Sequence, residues 1–457
     1  LPHFSELPVF FSTHILNGET LYEREAQSWE EFEYRLRRLR KRQQAFAALT
    51  VEERSALLYA FADRLEANRG RLAVMICEEV GRCLRECKAE LNKSVELVRY
   101  YARKAPELLA HKTIATQASL SQVRFEPLGV VFAVMPWNYP VWQILRFAIP
   151  ALCAGNACMV KPAPSVGRVT EALFEIIGAD LPMDVAWLDH AEVRRAVACT
   201  DALAFTGSAE TGRRLAAQAG LYLKKTVMEL GGSNAFIVMS DADLAQAAKD
   251  ACYSRFRDAG QSCNAAKRII VTESVAEEFI ALFLAECAKL KTGDPMDPDT
   301  TLAPLHRRDL RERIHSQVID ALVNGATVLQ GGQIPECSEQ GWFYPATVLD
   351  HVNHNCRVYH EEVFGPVAVI MRALGEEHAI ALANDNPYGL GASIYSQDHE
   401  KAWEYATKLQ TGAVYINRHT SSDLHLPFGG VKDSGYGREL SEFGIYEFVN
   451  VKSYWQK

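Results

Sequence analysis

No apolar run in this chain approaches the ~20 residues needed to span a bilayer, so a transmembrane helix is not expected. The opening Leu1-Pro2-His3-Phe4-Ser5-Glu6 lacks the basic stretch followed by apolar residues that marks a signal peptide, and none is expected there. CxxC pairs are also missing. Eleven cysteines are scattered with no regular framework, which suits reduced thiols in a cytoplasm better than disulfides. There is no long basic run, and the formal net charge is −8. The one locally basic stretch, residues 35–42, follows Glu30, Glu31 and Glu33 on an amphipathic pattern and reads as a solvated helix face rather than a nucleic-acid surface. Internal repeats and low-complexity segments are absent, which sets solenoid architectures aside.

What is present is ordinary for a soluble globular enzyme: 48% of the residues are apolar and 23% charged. A length of 457 residues suggests two or three domains. The first 110 residues or so read as mostly helical. Thr50-Val51-Glu52-Glu53 forms a capping box, Leu57, Leu58, Phe61 and Leu65 follow on one helical face, and Gly70 and Gly81 punctuate the region. Residues 112–127 alternate like two exposed strands, a pattern that invites pairing with another chain. Short apolar runs at 130–134, 157–160, 203–205 and 235–239 look like buried parallel strands, with helical segments at 165–178, 209–219 and 243–257. That alternation predicts an open, doubly wound α/β sheet. A second α/β half follows Gly232, with a strand at 268–271, a helix near 274–290, and strands at 328–329, 367–370, 393–395 and 413–416. The stretch 447–455 alternates enough to be a strand.

Cys263 carries the most chemistry. A thiol that attacks a carbonyl carbon needs a base and oxyanion donors nearby. Glu229, in Glu229-Leu230-Gly231-Gly232-Ser233-Asn234, is the candidate base. Asn138, in Pro136-Trp137-Asn138-Tyr139-Pro140, offers an amide donor, to act with the Cys263 backbone N–H. An aldehyde whose carbon has been made tetrahedral by thiolate attack can give up hydride, leaving a thioester for water to hydrolyse. Taken one at a time, each residue has a plainer reading: a buried small hydrophobe, a strand end, an ordinary turn.

The Gly-x-Gly-x-x-Gly dinucleotide fingerprint is absent. In its place Phe205-Thr206-Gly207-Ser208-Ala209-Glu210-Thr211-Gly212 joins a strand to a helix. There Gly207 and Gly212 can let the backbone approach a pyrophosphate at the helix N-terminus. Lys161, in Met159-Val160-Lys161-Pro162-Ala163-Pro164, ends a buried strand where it can reach ribose hydroxyls.

From about Leu36 to the C-terminus these segments, with the closing Pro427-Phe428-Gly429-Gly430-Val431-Lys432-Asp433-Ser434-Gly435-Tyr436-Gly437-Arg438-Glu439, resemble the aldehyde dehydrogenase superfamily. The resemblance implies a Rossmann-like cofactor domain (1–111 and 128–231) and a second α/β catalytic domain (232–433). It also implies a small β oligomerisation arm (112–127 and 447–457), with 434–446 as a helical return. Cys263, Glu229 and Asn138 match the family's catalytic positions. Lys161 and the 205–212 segment match those that bind the adenosine ribose and pyrophosphate, with Ser208 and Trp137 counted among the cofactor residues. Glu361-Glu362-Val363-Phe364-Gly365-Pro366 resembles the segment that holds the nicotinamide ribose through Glu362 and packs the ring against Phe364. Many NAD-specific members carry a carboxylate where this chain has Pro164, so NAD or NADP is expected as cofactor. The stretch between Lys161 and Phe205 is several residues shorter than usual. Asp258 stands where the family usually has Asn, and a carboxylate beside the thiol would oppose thiolate formation.

Substrate choice is expected from the helix after Pro140, which puts Gln143 and Arg146 one turn apart on one face, next to Trp142. The position of Arg146 is arginine in succinate-semialdehyde dehydrogenases, where a guanidinium fork grips the distal carboxylate. Its plainer reading is a structural ion pair. Arg257 is a second candidate cation, and Ser421 and Ser422 are candidate hydroxyl donors. With Arg255-Phe256-Arg257 and the Cys263 run, the resemblance is strongest to the bacterial NAD(P)-dependent succinate-semialdehyde branch. It implies a small aldehyde as partner, no nucleic acid or membrane, and a homodimer or homotetramer. His351, His354 and Cys356 have spacing a metal can use, but they lie in an expected loop, and no metal site is assigned. The rival readings are a broad-specificity or other ω-carboxylated aldehyde dehydrogenase, an acylating dehydrogenase, and a non-catalytic binding protein. Without a repelling carboxylate at 164, kcat/KM with NAD should exceed that with NADP by less than about a thousandfold, as steady-state kinetics with both cofactors will measure.

Overall fold

A computed structural model of the chain describes residues 8–336 and 341–457. The opening residues 1–6 discussed above therefore lie outside the described residues.

Two open sheets organise the molecule. The first has six strands in the order Gly435–Tyr436, Lys225–Glu229, Ala202–Thr206, Val130–Val134, Ala157–Lys161 and Met183–Val185. All are parallel except Gly435–Tyr436. Val130–Val134, Ala157–Lys161 and Ala202–Thr206 are buried along nearly their whole length, as their apolar runs require, whereas Lys225–Glu229 is buried only from Val227 on. Helices Val51–Val80, Leu84–Leu108, Trp142–Cys153 and Gly167–Ile177 cover one face, and Trp29–Ala47, Val193–Cys199 and Ala209–Leu221 the other. Strand order reverses between Val130–Val134 and Ala202–Thr206, so their carboxyl ends splay apart and open a crevice. Trp137-Asn138 and Gly207-Ser208 leave from those two ends.

The second sheet has seven strands: Thr327–Gln330, Thr347–Asp350, Val367–Ala373, Ala266–Thr272, Asn234–Val238, Gly391–Tyr395 and Ala413–Ile416. Only Thr327–Gln330 runs antiparallel. A separate three-stranded sheet joins Lys112–Thr113 and Leu120–Pro127 with Val449–Gln456.

Several local expectations meet a different structure. The N-terminal region is mostly helical as expected, but Val9–Thr13 and Thr20–Glu25 form a hairpin before the first helix. Phe10 of that hairpin packs on Trp187, ring centroids 5.5 Å apart, a partner far along the chain that no local pattern announces. Gly70 does not break its helix but lies inside Val51–Val80. Gly81 does end it, in the left-handed conformation at φ 90°. The segment 434–446 is only partly helical: Gly435–Tyr436 returns as a strand beside Lys225–Glu229, and the helix is confined to Ser441–Tyr446. That strand needs Gly435 (φ 104°), since a Cβ there would fall 1.9 Å from the Met228 carbonyl oxygen.

The capping box forms as expected. Thr50 Oγ accepts from the Glu53 N–H at 3.2 Å, and the Glu53 carboxylate accepts from the Thr50 N–H at 2.7 Å. Replacing Thr50 with alanine should lower the unfolding free energy by about 1 kcal/mol in urea titration, leaving the oligomeric state unchanged.

Candidate active site

Helix Leu244–Phe256 stops just before the thiol, and the chain turns sharply. Asp258, Ala259 and Gly260 all have positive φ, at 54°, 51° and 71°. Two non-glycine residues in this region cost of order 1–3 kcal/mol each, so the surroundings must hold the turn. They do so from three sides. Arg82 Nε donates to Asp258 at 2.6 Å, Tyr139 donates to the other Asp258 oxygen at 2.5 Å, and the Asp258 N–H donates to Glu86 at 3.2 Å. Beyond the turn, Lys267 Nζ donates to the carbonyls of Ser262 and Cys263 at 2.9 and 2.7 Å. Cys263 is thus fixed between two cavities, and with Gln143 it lines both.

The larger cavity, about 320 Å³, lies at the crevice of the first sheet and is lined by Trp137, Asn138, Gly207, Ser208, Glu229, Glu362 and Phe364 among others. Glu362 is oriented by Lys267, at 2.8 Å, and by the Gly232 N–H, at 3.1 Å. A Cβ at Gly231 would come within 2.1 Å of Glu362, so this carboxylate sits against bare backbone. Ser208 caps helix Ala209–Leu221, leaving its other first-turn N–H groups to face an anion. The cavity fits a dinucleotide: a helix N-terminus for phosphate, a positioned carboxylate for a ribose, and aromatic walls.

The smaller cavity, about 150 Å³, lies on the other side of Cys263 and is lined by Lys93, Trp142, Gln143, Arg146, Arg257 and Ser422 among others. Four basic side chains line it, Arg82 among them, together with the carboxylates of Glu86, Glu90 and Asp258.

Asn138 donates through Nδ2 to the Gln261 carbonyl at 3.0 Å, which aims the amide across the thiol segment. Glu229 is buried, and its Oε1 has no hydrogen-bond partner. Burial, and next the nearby Glu439, raise its pKa well above the usual carboxylate range, against the opposing pull of Arg146 and Arg438. Burial likewise raises the Cys263 thiol, with Arg146 and Lys267 opposing.

The smaller-cavity candidates need correction. Arg146 is buried and ion-paired with Glu439, so its guanidinium is not a free fork, although its Nη2 has no hydrogen-bond partner. Arg257 stands 3.6 Å from Asp258. Ser422, not Ser421, lines the cavity; the Ser421 carbonyl instead accepts the Tyr415 hydroxyl. Asp258 faces Arg82 rather than the thiol. Burial alone would raise its pKa, but Arg82 and Arg257 hold it below the usual carboxylate range.

On the cofactor side, Gly212 is buried where a Cβ would strike Leu230 at 2.4 Å; it serves helix-to-sheet packing rather than phosphate approach. Lys161 and Pro164 do not line the larger cavity. Lys161 is buried at its strand end, 5.7 Å from the Phe10 ring centroid, and burial lowers its pKa to about 8. Pro164 opens the short turn Pro164–Val166. The adjacent Ser165 reaches His306 at 2.7 Å, and His306 stacks on Trp137 with centroids 4.3 Å apart, linking this segment to the thiol side. Cys356 points its sulfur at the Ala321 carbonyl, while His351 and His354 are exposed.

Sequence reasoning missed Lys93, Lys267, Arg82, Glu90 and Glu439. The available signal was their place on otherwise apolar faces: Glu90 and Ser94, for example, lie among buried Cys87, Leu91, Val95 and Val98.

Residues 10–454 match the Aldehyde dehydrogenase family, and the chain belongs to it. It is 40% identical over 412 residues to the succinate semialdehyde dehydrogenase (NAD(P)+) Sad of Escherichia coli K12, covering 89% of each chain. It is 41% identical over 444 residues to a probable succinate-semialdehyde dehydrogenase (NADP(+)) of Synechocystis sp., covering 96% of this chain and 97% of the other. A crystal structure of succinic semialdehyde dehydrogenase from Streptococcus pyogenes in complex with NADP+ superposes with a TM-score of 0.94 at 33% identity, covering 98% and 99% of the two chains.

A raised thiol pKa leaves little thiolate at neutral pH. Alkylation of Cys263 by iodoacetamide, followed by mass spectrometry of its peptide, should therefore accelerate about tenfold per pH unit from pH 7 upward. Lys267→Met, which removes an opposing positive charge, should slow it at every pH in that range.

Proposed function

We propose that this chain oxidises an aldehyde to a carboxylic acid with NAD or NADP, its preferred substrate being succinate semialdehyde or a similar short ω-carboxylated aldehyde. The observation that carries this reading is the position of Cys263 between a dinucleotide-shaped crevice and a small cavity walled by cations. Glu229 takes the thiol proton, and Cys263 Sγ attacks the aldehyde carbon. Asn138 Nδ2, with the Cys263 N–H, holds the oxyanion, a contribution typically worth ~3 kcal/mol. A nicotinamide dinucleotide bound in the larger cavity supplies the hydride acceptor. Loss of hydride leaves a thioester on Cys263; Glu229, once it has passed the thiol proton to solvent, activates the water whose attack releases the acid and returns the thiol.

Glu362 holds a ribose, Trp137 and Phe364 flank the ring, and Gly207 and Ser208 receive the pyrophosphate. Lys161 and Pro164 belong to the adenosine end of the same cofactor. Arg146, Gln143, Trp142 and Arg257 favour a substrate with a distal carboxylate. The relatives named above support both the substrate and the use of NADP.

The division into a cofactor unit, a catalytic unit and a β arm is part of this reading, supported by the two sheets and the separate three-stranded one. Exposed Ile114, Leu120, Val451 and Trp455 on or beside the arm support a homodimer or homotetramer. The ten cysteines of the described residues are all free, which supports a cytoplasmic setting. Among the described residues no helix is long and apolar enough to cross a membrane.

Because Glu229 holds its proton well above the usual range, its base form is gained as pH rises, and steady-state turnover should climb on the alkaline side of neutrality. Glu229→Gln should reduce turnover of succinate semialdehyde by at least about a hundredfold while an acyl adduct on Cys263 accumulates, visible by intact mass spectrometry. Undiminished turnover, or a chain that releases product only as a coenzyme A thioester, would contradict the assignment.

A further inference from the structure

The cations around the smaller cavity are not equivalent. Arg82 is neutralised by Glu90 and Asp258, Arg146 by Glu439, and Arg257 lies beside Asp258. Lys93, on the inner face of helix Leu84–Leu108, has no carboxylate among the described residues within 4 Å of its ammonium. Its contacts are neutral. Nζ lies over the Trp142 ring, 4.5 Å from the centroid, donates to the Ser422 carbonyl at 2.7 Å, and donates to Ser422 Oγ. An ammonium has three N–H donors, so one remains for a ligand. Since Ser422 Oγ accepts from Lys93, its own proton is free to point at a second acceptor.

Resting on the functional reading above, we infer that Lys93, with the Ser422 hydroxyl it orients, is the group that grips the distal carboxylate of the substrate. Both residues line the same cavity as Cys263. Charge-assisted hydrogen bonds from an otherwise unpaired ammonium discriminate strongly between a carboxylate and a methyl group. Arg146, ion-paired with Glu439 through Nε, keeps an unpartnered Nη2 and adds a second donor to the same cavity.

The surroundings of Lys93 point the same way. Burial lowers its pKa to about 8, and Arg146 from helix Trp142–Cys153 and Arg257 from the nucleophile turn push in the same direction. Asp423 of the Ser422 loop and Glu96 one turn along its own helix oppose them. Earlier on that helix, Glu90, paired with Arg82, and Glu86, whose pKa burial raises to about 8, also line the cavity, so the Lys93 variants separate the lysine's titration from that of Glu86. A site where cations repel one another is relieved by an incoming anion. Lys93 is charged below pH 8 and loses its proton as pH rises through that value, so affinity for a carboxylated aldehyde should fall there. A neutral aldehyde should not share that loss.

The test compares succinate semialdehyde with butanal, as the ratio of their kcat/KM values, in the whole chain with its cofactor. In the wild type this ratio should fall about tenfold between pH 7 and pH 9, following the protonated fraction of a group titrating near 8. Lys93→Met should reduce the ratio at pH 7 by about thirtyfold and flatten its pH dependence. Lys93→Arg, which stays charged, should keep most of the ratio and also abolish the fall. Equal losses on both substrates in Lys93→Met would make Lys93 a tie for the Ser422 loop and overturn the inference alone. An unchanged ratio in Lys93→Met would do the same. A wild type with no preference for the carboxylated aldehyde would overturn this inference together with the substrate reading on which it rests.

Discussion

One buried guanidinium holds the walls of the candidate site in register. Arg82, just past the helix that Gly81 terminates, donates to Asp258 in the nucleophile turn and to Glu90 one helix on. It also reaches the Asn138 carbonyl at 3.4 Å, and its guanidinium carbon sits over the Tyr139 ring, 3.9 Å from the centroid. Glu90 in turn accepts the N–H groups of Val141 and Trp142, the start of the helix that carries Gln143 and Arg146. A carboxylate at a helix N-terminus is favoured by the dipole, and here it also satisfies two orphan donors. The Asn138 segment, the helix Trp142–Cys153 and the left-handed turn before Cys263 therefore share one charge. Removing it would leave Asp258 and Glu90 buried without their counter-ion, a loss in the range of 3–5 kcal/mol.

The same network explains how an aspartate is tolerated beside a nucleophilic thiol. A carboxylate at 258 would disfavour thiolate if it faced the sulfur, but its oxygens are committed to Arg82 and Tyr139. The charge that bears on Cys263 comes from elsewhere. Lys267 spans from the thiol segment to Glu362, joining the nucleophile to a wall of the larger cavity. On the opposite side, the Arg146–Glu439 pair lies next to Glu229. Arg146, and after it Lys267, presents positive charge toward the Cys263 sulfur, while Glu439 presents negative charge toward Glu229 and outweighs Arg146 there.

Much of the first sheet was legible because buried parallel strands and capped helices carry local signatures. The strand at 130–134 and the Thr50/Glu53 capping box depend on apolar runs and side-chain spacing alone, and both form where expected. The N-terminal hairpin was not legible, since Phe10 is held by Trp187, Val185 and Lys161, partners far along the chain. Nor was the return of Gly435–Tyr436 to the first sheet, which depends on a glycine meeting the Met228 carbonyl. Arg146 illustrates the general difficulty. Its position on the substrate helix could be read from the sequence, but its engagement by Glu439 joins residues nearly three hundred positions apart.

Sequence alone determined the family and the alternation of strands and helices, and it singled out Cys263, Glu229 and Asn138 as candidates. Those properties rest on residue type and short-range spacing, which survive without knowing the path of the chain. Tertiary structure decided which charges remain unpaired. Four basic side chains line the smaller cavity, and only the distances to Glu90, Asp258 and Glu439 distinguish Lys93 from the three arginines. Coulomb energies fall with separation and rise with burial, so a list of cationic residues cannot say which one is free to meet a substrate.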